Sequence, residues 1–131
     1  MAEGDETLLV FVYGSLRNGE PDHPALQGAQ FVGNGHTVPK YRLVDLGVYP
    51  AMIEFPGYRV FGEVYAVTRE IRRRLDVIKE VPVLFQRVTI ALEDGRAAET
   101  YVMREQQVRG RRRLRVEDWK QRFAPLRRGP Y

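Results

Sequence analysis

The fold turns on the stretch Leu8-Leu9-Val10-Phe11-Val12-Tyr13-Gly14-Ser15-Leu16-Arg17-Asn18-Gly19. Five aliphatic or aromatic residues run without a break into Tyr13, then into a glycine and a hydroxyl. The run is too short to favour a helix and is rich in β-prone residues, so it reads as a buried strand opening into a loop. Gly14 carries no Cβ, which lets loop amides converge on a carboxylate or other anion. The competing reading is a buried strand followed by an ordinary turn.

Further along, Ala25 to Ala29 is expected to form a short helical turn. Gln30 to Val38 reads as a strand bent by Gly33 and Gly35. Tyr41 to Leu46 reads as another strand, and Gly47 to Ile53 as a loop returning into the next, with Tyr49 and Pro50 in aromatic packing or at a pocket wall. Tyr58 to Val67 alternates with apolar residues on both faces, which suits a central strand. Thr68 is placed to cap a helix over about 69–79. Ile71, Leu75 and Ile78 share one face of it, Arg72 and Arg73 point outward, and Pro82 ends it. Strands near Leu84 to Leu92 and Glu99 to Met103 are joined through Asp94-Gly95, a hairpin signal. Val116, Trp119 and Phe123 have the spacing of a short terminal helix that docks on the domain.

A chain of 131 residues is expected to form one domain with a real core. It contains no cysteine and two histidines, His23 and His36. Disulfides and thiolate metal sites are therefore excluded, and a histidine-rich metal site is disfavoured. No apolar stretch approaches the roughly 20 residues that cross a bilayer, and the acidic start lacks the features of a secretory signal, so a cytoplasmic location is expected.

The net charge of +4 hides an asymmetry: Met1 to Met103 carries 11 basic and 14 acidic residues, Arg104 to Tyr131 carries 10 basic and 3 acidic. The basic segment, with Arg109, Arg111, Arg112, Arg113 and Arg115, suits either phosphate tracking or a solvated turn and strand edge. The docking-helix spacing of Trp119 and Phe123 argues against a stacking platform for single strands. Trp119 is thus expected to be buried and nucleic acid is not expected as a partner.

Tyr13-Gly14-Ser15-Leu16 is followed in order by Gly62-Glu63-Val64-Tyr65-Ala66-Val67, Leu75-Asp76 and Pro82-Val83-Leu84-Phe85-Gln86-Arg87. Taken together these segments resemble the γ-glutamylcyclotransferase-like proteins, most closely the γ-glutamylamine cyclotransferases, over roughly residues 8–103. The resemblance implies an α+β fold: a small, closed or nearly closed mixed β-barrel with one main helix and a short C-terminal helix. It also implies release of 5-oxoproline from a small γ-glutamyl compound, as the substrate's α-amine attacks its own γ-carbonyl. Such a reaction needs proximity, a base, oxyanion donors and an anion site, and no cofactor.

By the same resemblance, Tyr13, Gly14, Ser15 and Leu16 contact the substrate. The base would be a glutamate three residues after the Leu-Asp pair, but that position is Lys79. Glu80 comes one residue later, about 100° round a helix, and a local insertion or unwinding would bring it into place. Glu80 is accordingly the expected base. Lys79 could replace it only with a pKa depressed by burial or a neighbouring cation. Phe85 stands where the family usually carries tyrosine. Glu63 is read as an exposed strand residue, with a place at the cavity as the alternative; Arg87 is expected to pair with Asp76 or with a ligand carboxylate. The alternative for the whole protein is a non-catalytic domain of the same fold that binds small carboxylates and has lost the base. The oligomeric state is left open.

Overall fold

The apolar run is strand β1 (Leu8–Val12), and it lies at the middle of a sheet. The computed structural model describes residues 7–123. The acidic start, 1–6, and the end of the basic segment, 124–131, lie outside the described residues. β1 pairs antiparallel with β5 (Phe61–Val67) and parallel with β7 (Ala97–Val102). Strand β2 (Gln30–His36) adds to β5, and β6 (Gln86–Ala91) adds to β7. The order is therefore β2-β5-β1-β7-β6.

The unbroken hydrophobicity of β1 now has a cause. Val10 and Val12 enter one core cluster with Leu75, Phe85 and Tyr101, whereas Phe11 enters another with Leu43, Met52 and Trp119. A strand covered on both faces needs apolar residues at every position. One of the two glycines of β2 marks a bulge: register slips between Phe31 and Gly33, and Gly33 takes φ +128°, while Gly35 pairs in step with Gly62.

A second sheet has the order β4-β3-β8, built from β3 (Tyr41–Asp45), β4 (Pro50–Glu54) and the two-residue β8 (Arg112–Arg113). The arginine-rich stretch thus contributes a strand edge. The outer strands of the five-stranded sheet approach each other just beyond their ends, where Thr37 and Leu92 form an antiparallel bridge. The expected barrel takes this form: one sheet curled almost to closure, with a smaller sheet against it.

Helix α1 (Arg69–Ile78) begins at Thr68, whose hydroxyl accepts from the Ile71 amide at 3.2 Å. Thr68→Ala should cost about 1 kcal/mol by urea denaturation, because that amide loses its partner. Ile71 and Leu75 are buried as expected, but Ile78 is exposed. Arg72 does not point freely outward; it pairs with Glu99 at 3.1 Å.

The terminal helix expected over Val116 to Phe123 is not present. The Glu117 carbonyl accepts from the Phe61 amide, which keeps the backbone extended, and only a 3-10 turn (Trp119–Gln121) follows. Trp119 is fully buried, as its spacing predicted, while Phe123 is exposed. No helix among the described residues is long and apolar enough to cross a membrane.

Candidate functional site

Where β1 ends, Tyr13 to Arg17 turn through the interior, all of them buried. The Tyr13 hydroxyl donates to the Tyr101 carbonyl at 2.5 Å and accepts from the Met52 amide at 3.1 Å. It thereby ties β7 to β4, and burial pushes its pKa up. Its oxygen is engaged in the frame, so Tyr13 shapes the site more than it offers a hydroxyl. Tyr13→Phe should cost about 1–3 kcal/mol in a denaturation experiment, since the buried Met52 amide would be left unsatisfied.

Gly14 is a close-approach position. A Cβ there would lie 2.5 Å from the Pro50 Cγ. The loop is held in a turn by the Arg17 amide donating to the Gly14 carbonyl and the Asp22 amide donating to the Ser15 carbonyl. The His23 ring nitrogen Nδ1 donates to the Leu16 carbonyl at 2.9 Å.

Ser15 Oγ accepts from Lys79 Nζ at 3.2 Å. Lys79 is the C-cap of α1, and its side chain is buried against the loop, 4.8 Å from the Phe85 ring centre and 5.6 Å from that of Tyr49. Burial pushes the Lys79 amine down to about 8, with Asp22 acting weakly in the opposite direction.

Glu80 is placed otherwise than expected. No insertion or unwinding brings it round: the helix closes with the Glu80 amide donating to Val77 and the Val81 amide donating to Asp76. That is the Schellman arrangement, with Glu80 at the left-handed position, φ +51°. Its side chain is exposed, and the cavity is lined by Lys79 instead. The cavity is small, about 10 Å³, with Gly14, Leu16, Lys79 and Tyr101 among its walls. Larger grooves of about 650 Å³ and 470 Å³ open elsewhere on the surface, away from the loop.

Two charge networks flank the site. Asp76 accepts from Tyr101 Oη at 2.7 Å and pairs with Arg87, which also lies 3.8 Å from Glu99. The expected partnership of Arg87 with Asp76 is therefore structural. Glu63 is not an exposed strand residue. It is buried, accepting from Arg17 Nε at 3.0 Å, from the Asn18 amide at 2.9 Å and from Tyr65 Oη at 2.9 Å. Burial raises its carboxyl, but the Asn18, Arg17 and Tyr65 hydrogen bonds outweigh that and hold it below its ordinary value. Arg17, which also reaches Asp118 at 2.5 Å, had no sequence signal beyond following the loop directly. Among the described residues no three His, Cys, Asp or Glu side chains are grouped to hold a metal ion.

A curled mixed sheet with a buried Tyr-Gly-Ser-Leu loop, faced by the C-terminal end of one helix, defines a small α+β class of proteins. Residues 10–121 match the family described as gamma-glutamyl cyclotransferase, AIG2-like, and the chain belongs to that family. A Vibrio cholerae protein, provisionally named gamma-glutamylcyclotransferase, is 47% identical over 90 residues, covering 68% of this chain and 76% of its own. The gamma-glutamylaminecyclotransferase of Bos taurus is 41% identical over 98 residues, covering 66% of this chain; the chain spans 58% of that relative's length. The crystal structure of an AIG2-like protein from Mus musculus superposes with a TM-score of 0.70 at 29% identity, covering 75% of this chain and 78% of the other.

Proposed function

We propose that this protein is a γ-glutamyl cyclotransferase that releases 5-oxoproline from a small γ-glutamyl amine, with Lys79 as the proton acceptor. The observation that carries this reading is the buried amine at Ser15, on the helix end where the family places its base. The loop from Tyr13 to Leu16 binds the substrate's α-carboxylate, with Ser15 offering a hydroxyl and Gly14 letting the loop pack against Pro50. Held folded, the substrate brings its α-amine to its own γ-carbonyl, and this proximity supplies most of the rate. The neutral Lys79 amine takes a proton from the attacking nitrogen and returns it to the leaving amine.

With its pKa near 8, roughly a tenth of Lys79 is neutral at pH 7. Turnover of γ-glutamyl-ε-lysine, read as 5-oxoproline, should therefore rise about tenfold from pH 7 to pH 9. Because the substrate's own α-ammonium also titrates in alkaline solution, the decisive comparison is Lys79→Glu. Burial raises a carboxyl where it lowers an amine, but from a far lower starting value, so the variant should be faster at pH 7 and show a flatter profile. Glu80→Gln should leave turnover unchanged. An unaltered profile in Lys79→Glu, or loss of activity in Glu80→Gln, would move the base elsewhere.

A second reading is favoured by the near-full cavity: with Lys79 protonated, the site is a cationic seat for a small carboxylate without turnover. Calorimetric binding of small carboxylates, lost in Lys79→Met, with no product from a panel of γ-glutamyl amines would favour this reading.

A further inference from the structure

We propose that Ser15 and Lys79 form a nucleophile–base pair that carries an acyl group as an ester on Ser15 Oγ, so that the chain cleaves acyl amides lacking an α-amine. The proposal rests on the loop accepting the γ-glutamyl skeleton, as in the reading above, but it concerns a different bond-forming step. In direct cyclisation Ser15 is a hydrogen-bonding group only.

The geometry is that of an activated serine. Lys79 Nζ lies 3.2 Å from Ser15 Oγ, and both residues are buried, at 8% and 4% exposure. Among the described residues no carboxylate lies within ion-pair distance of Nζ. An amine that, among the described residues, is hydrogen-bonded to a serine hydroxyl alone, beside two aromatic rings, differs from an ordinary structural lysine, which keeps its ammonium in water or on a carboxylate. Burial keeps part of it neutral near pH 8, the form that accepts a proton. The nucleophile is also held rigidly: the turn fixing Gly14 and Ser15 leaves the hydroxyl facing Lys79.

The steps balance without a cofactor. Lys79 takes the Ser15 hydroxyl proton as Oγ bonds to the amide carbonyl carbon. The carbon–nitrogen bond then breaks, and the amine leaves with the proton from Lys79. Water next attacks the ester carbonyl, giving its proton to Lys79. Ser15 Oγ departs and recovers that proton, releasing the carboxylic acid. With a γ-glutamyl ester, the α-amine competes with water and gives 5-oxoproline, so the ester route and direct cyclisation converge on one product for that substrate. A substrate without the α-amine separates them.

The test uses glutaryl p-nitroanilide, in which hydrogen replaces the α-amino group, alongside γ-glutamyl p-nitroanilide. The wild-type protein should release p-nitroaniline and glutarate from the glutaryl compound, and acid-quenched protein should show one glutaryl group on Ser15 by peptide mass spectrometry. Ser15→Ala and Lys79→Met, each checked for folding by circular dichroism, should bring release to the uncatalysed rate. Absence of release from the glutaryl compound, or release that persists in Ser15→Ala, would overturn the proposal. If at the same time the wild-type protein forms 5-oxoproline from the γ-glutamyl compound, the cyclotransferase reading survives alone. Cleavage of the glutaryl compound with no 5-oxoproline from the other would leave the Ser15 ester standing and reject cyclotransfer.

Discussion

Lys79→Met is expected to stabilise the protein at neutral pH by about 2 kcal/mol, an unusual direction for a substitution at a buried residue. Burial holds the amine at about 8 in the folded protein, against 10.5 for an exposed lysine. The unfolded chain therefore binds the proton more tightly, and below pH 8 keeping that charge inside costs on the order of 3 kcal/mol. Loss of the Ser15 hydrogen bond offsets about 1 kcal/mol of the gain. The sign can be checked through pH. Between 8 and 10.5 the unfolded state carries the proton and the folded state does not, so wild-type stability should rise with pH while that of Lys79→Met stays level. By pH 9.5 the two proteins should have converged to within about 1 kcal/mol. Above pH 10 the trend reverses in both, because Tyr13, Tyr65 and Tyr101 have raised pKa values and resist ionisation only when folded. Urea titrations from pH 7 to 9.5 isolate the lysine. A variant no more stable than wild type at pH 7 would mean that Lys79 is solvated.

Much of the fold was legible because its signals are local. β1 is covered on both faces, so its residues are uniformly apolar, and Gly33 of β2 falls where its register slips. The helix was legible from Thr68 and from Ile71 and Leu75. The errors occur where distant partners decide the outcome. The terminal helix had the right spacing, but the Glu117 carbonyl is claimed by Phe61 and the chain stays extended. The two residues of β8 have no pattern of their own, and their pairing follows from Leu114 bonding back to Leu43. Ile78 has the period of the buried face but lies at the last turn, beyond the cover of the sheet.

The site divides in the same way. The loop from Tyr13 to Leu16 was legible as a motif, and Lys79 as a departure from the pattern. Which of Lys79 and Glu80 faces the loop was not legible, because it depends on whether the helix remains regular to its last residue. Glu63 was misread for a related reason. Alternation places a side chain on a face, but only the folded chain brings Arg17 and the Asn18 amide to that face and makes burial of a carboxylate tolerable.

Gly62→Ala is expected to be the most damaging conservative change, destabilising by about 3 kcal/mol or more, the upper end of overpacking. A Cβ on Gly62 would lie 2.3 Å from the Val12 carbonyl oxygen and 2.7 Å from the Phe11 ring. The oxygen belongs to the backbone of the central strand and cannot swing aside as a flexible side chain can. Phe11 is fully buried between the sheets, so its ring has little room to retreat. Gly35, directly across from Gly62 on β2, is the control. A Cβ there would meet nothing closer than 3.7 Å, so Gly35→Ala should be within about 1 kcal/mol of wild type and gain slightly from reduced freedom in the unfolded chain. Thermal and urea denaturation of the two alanine variants should separate them clearly; similar values would mean that β1 and β5 yield to each other. The consequence extends to the loop. Val12 immediately precedes Tyr13, so any displacement of its carbonyl by the new methyl is transmitted to Ser15 and its contact with Lys79. Gly62→Ala protein that remains folded at low temperature should therefore also lose turnover, while Gly35→Ala retains it.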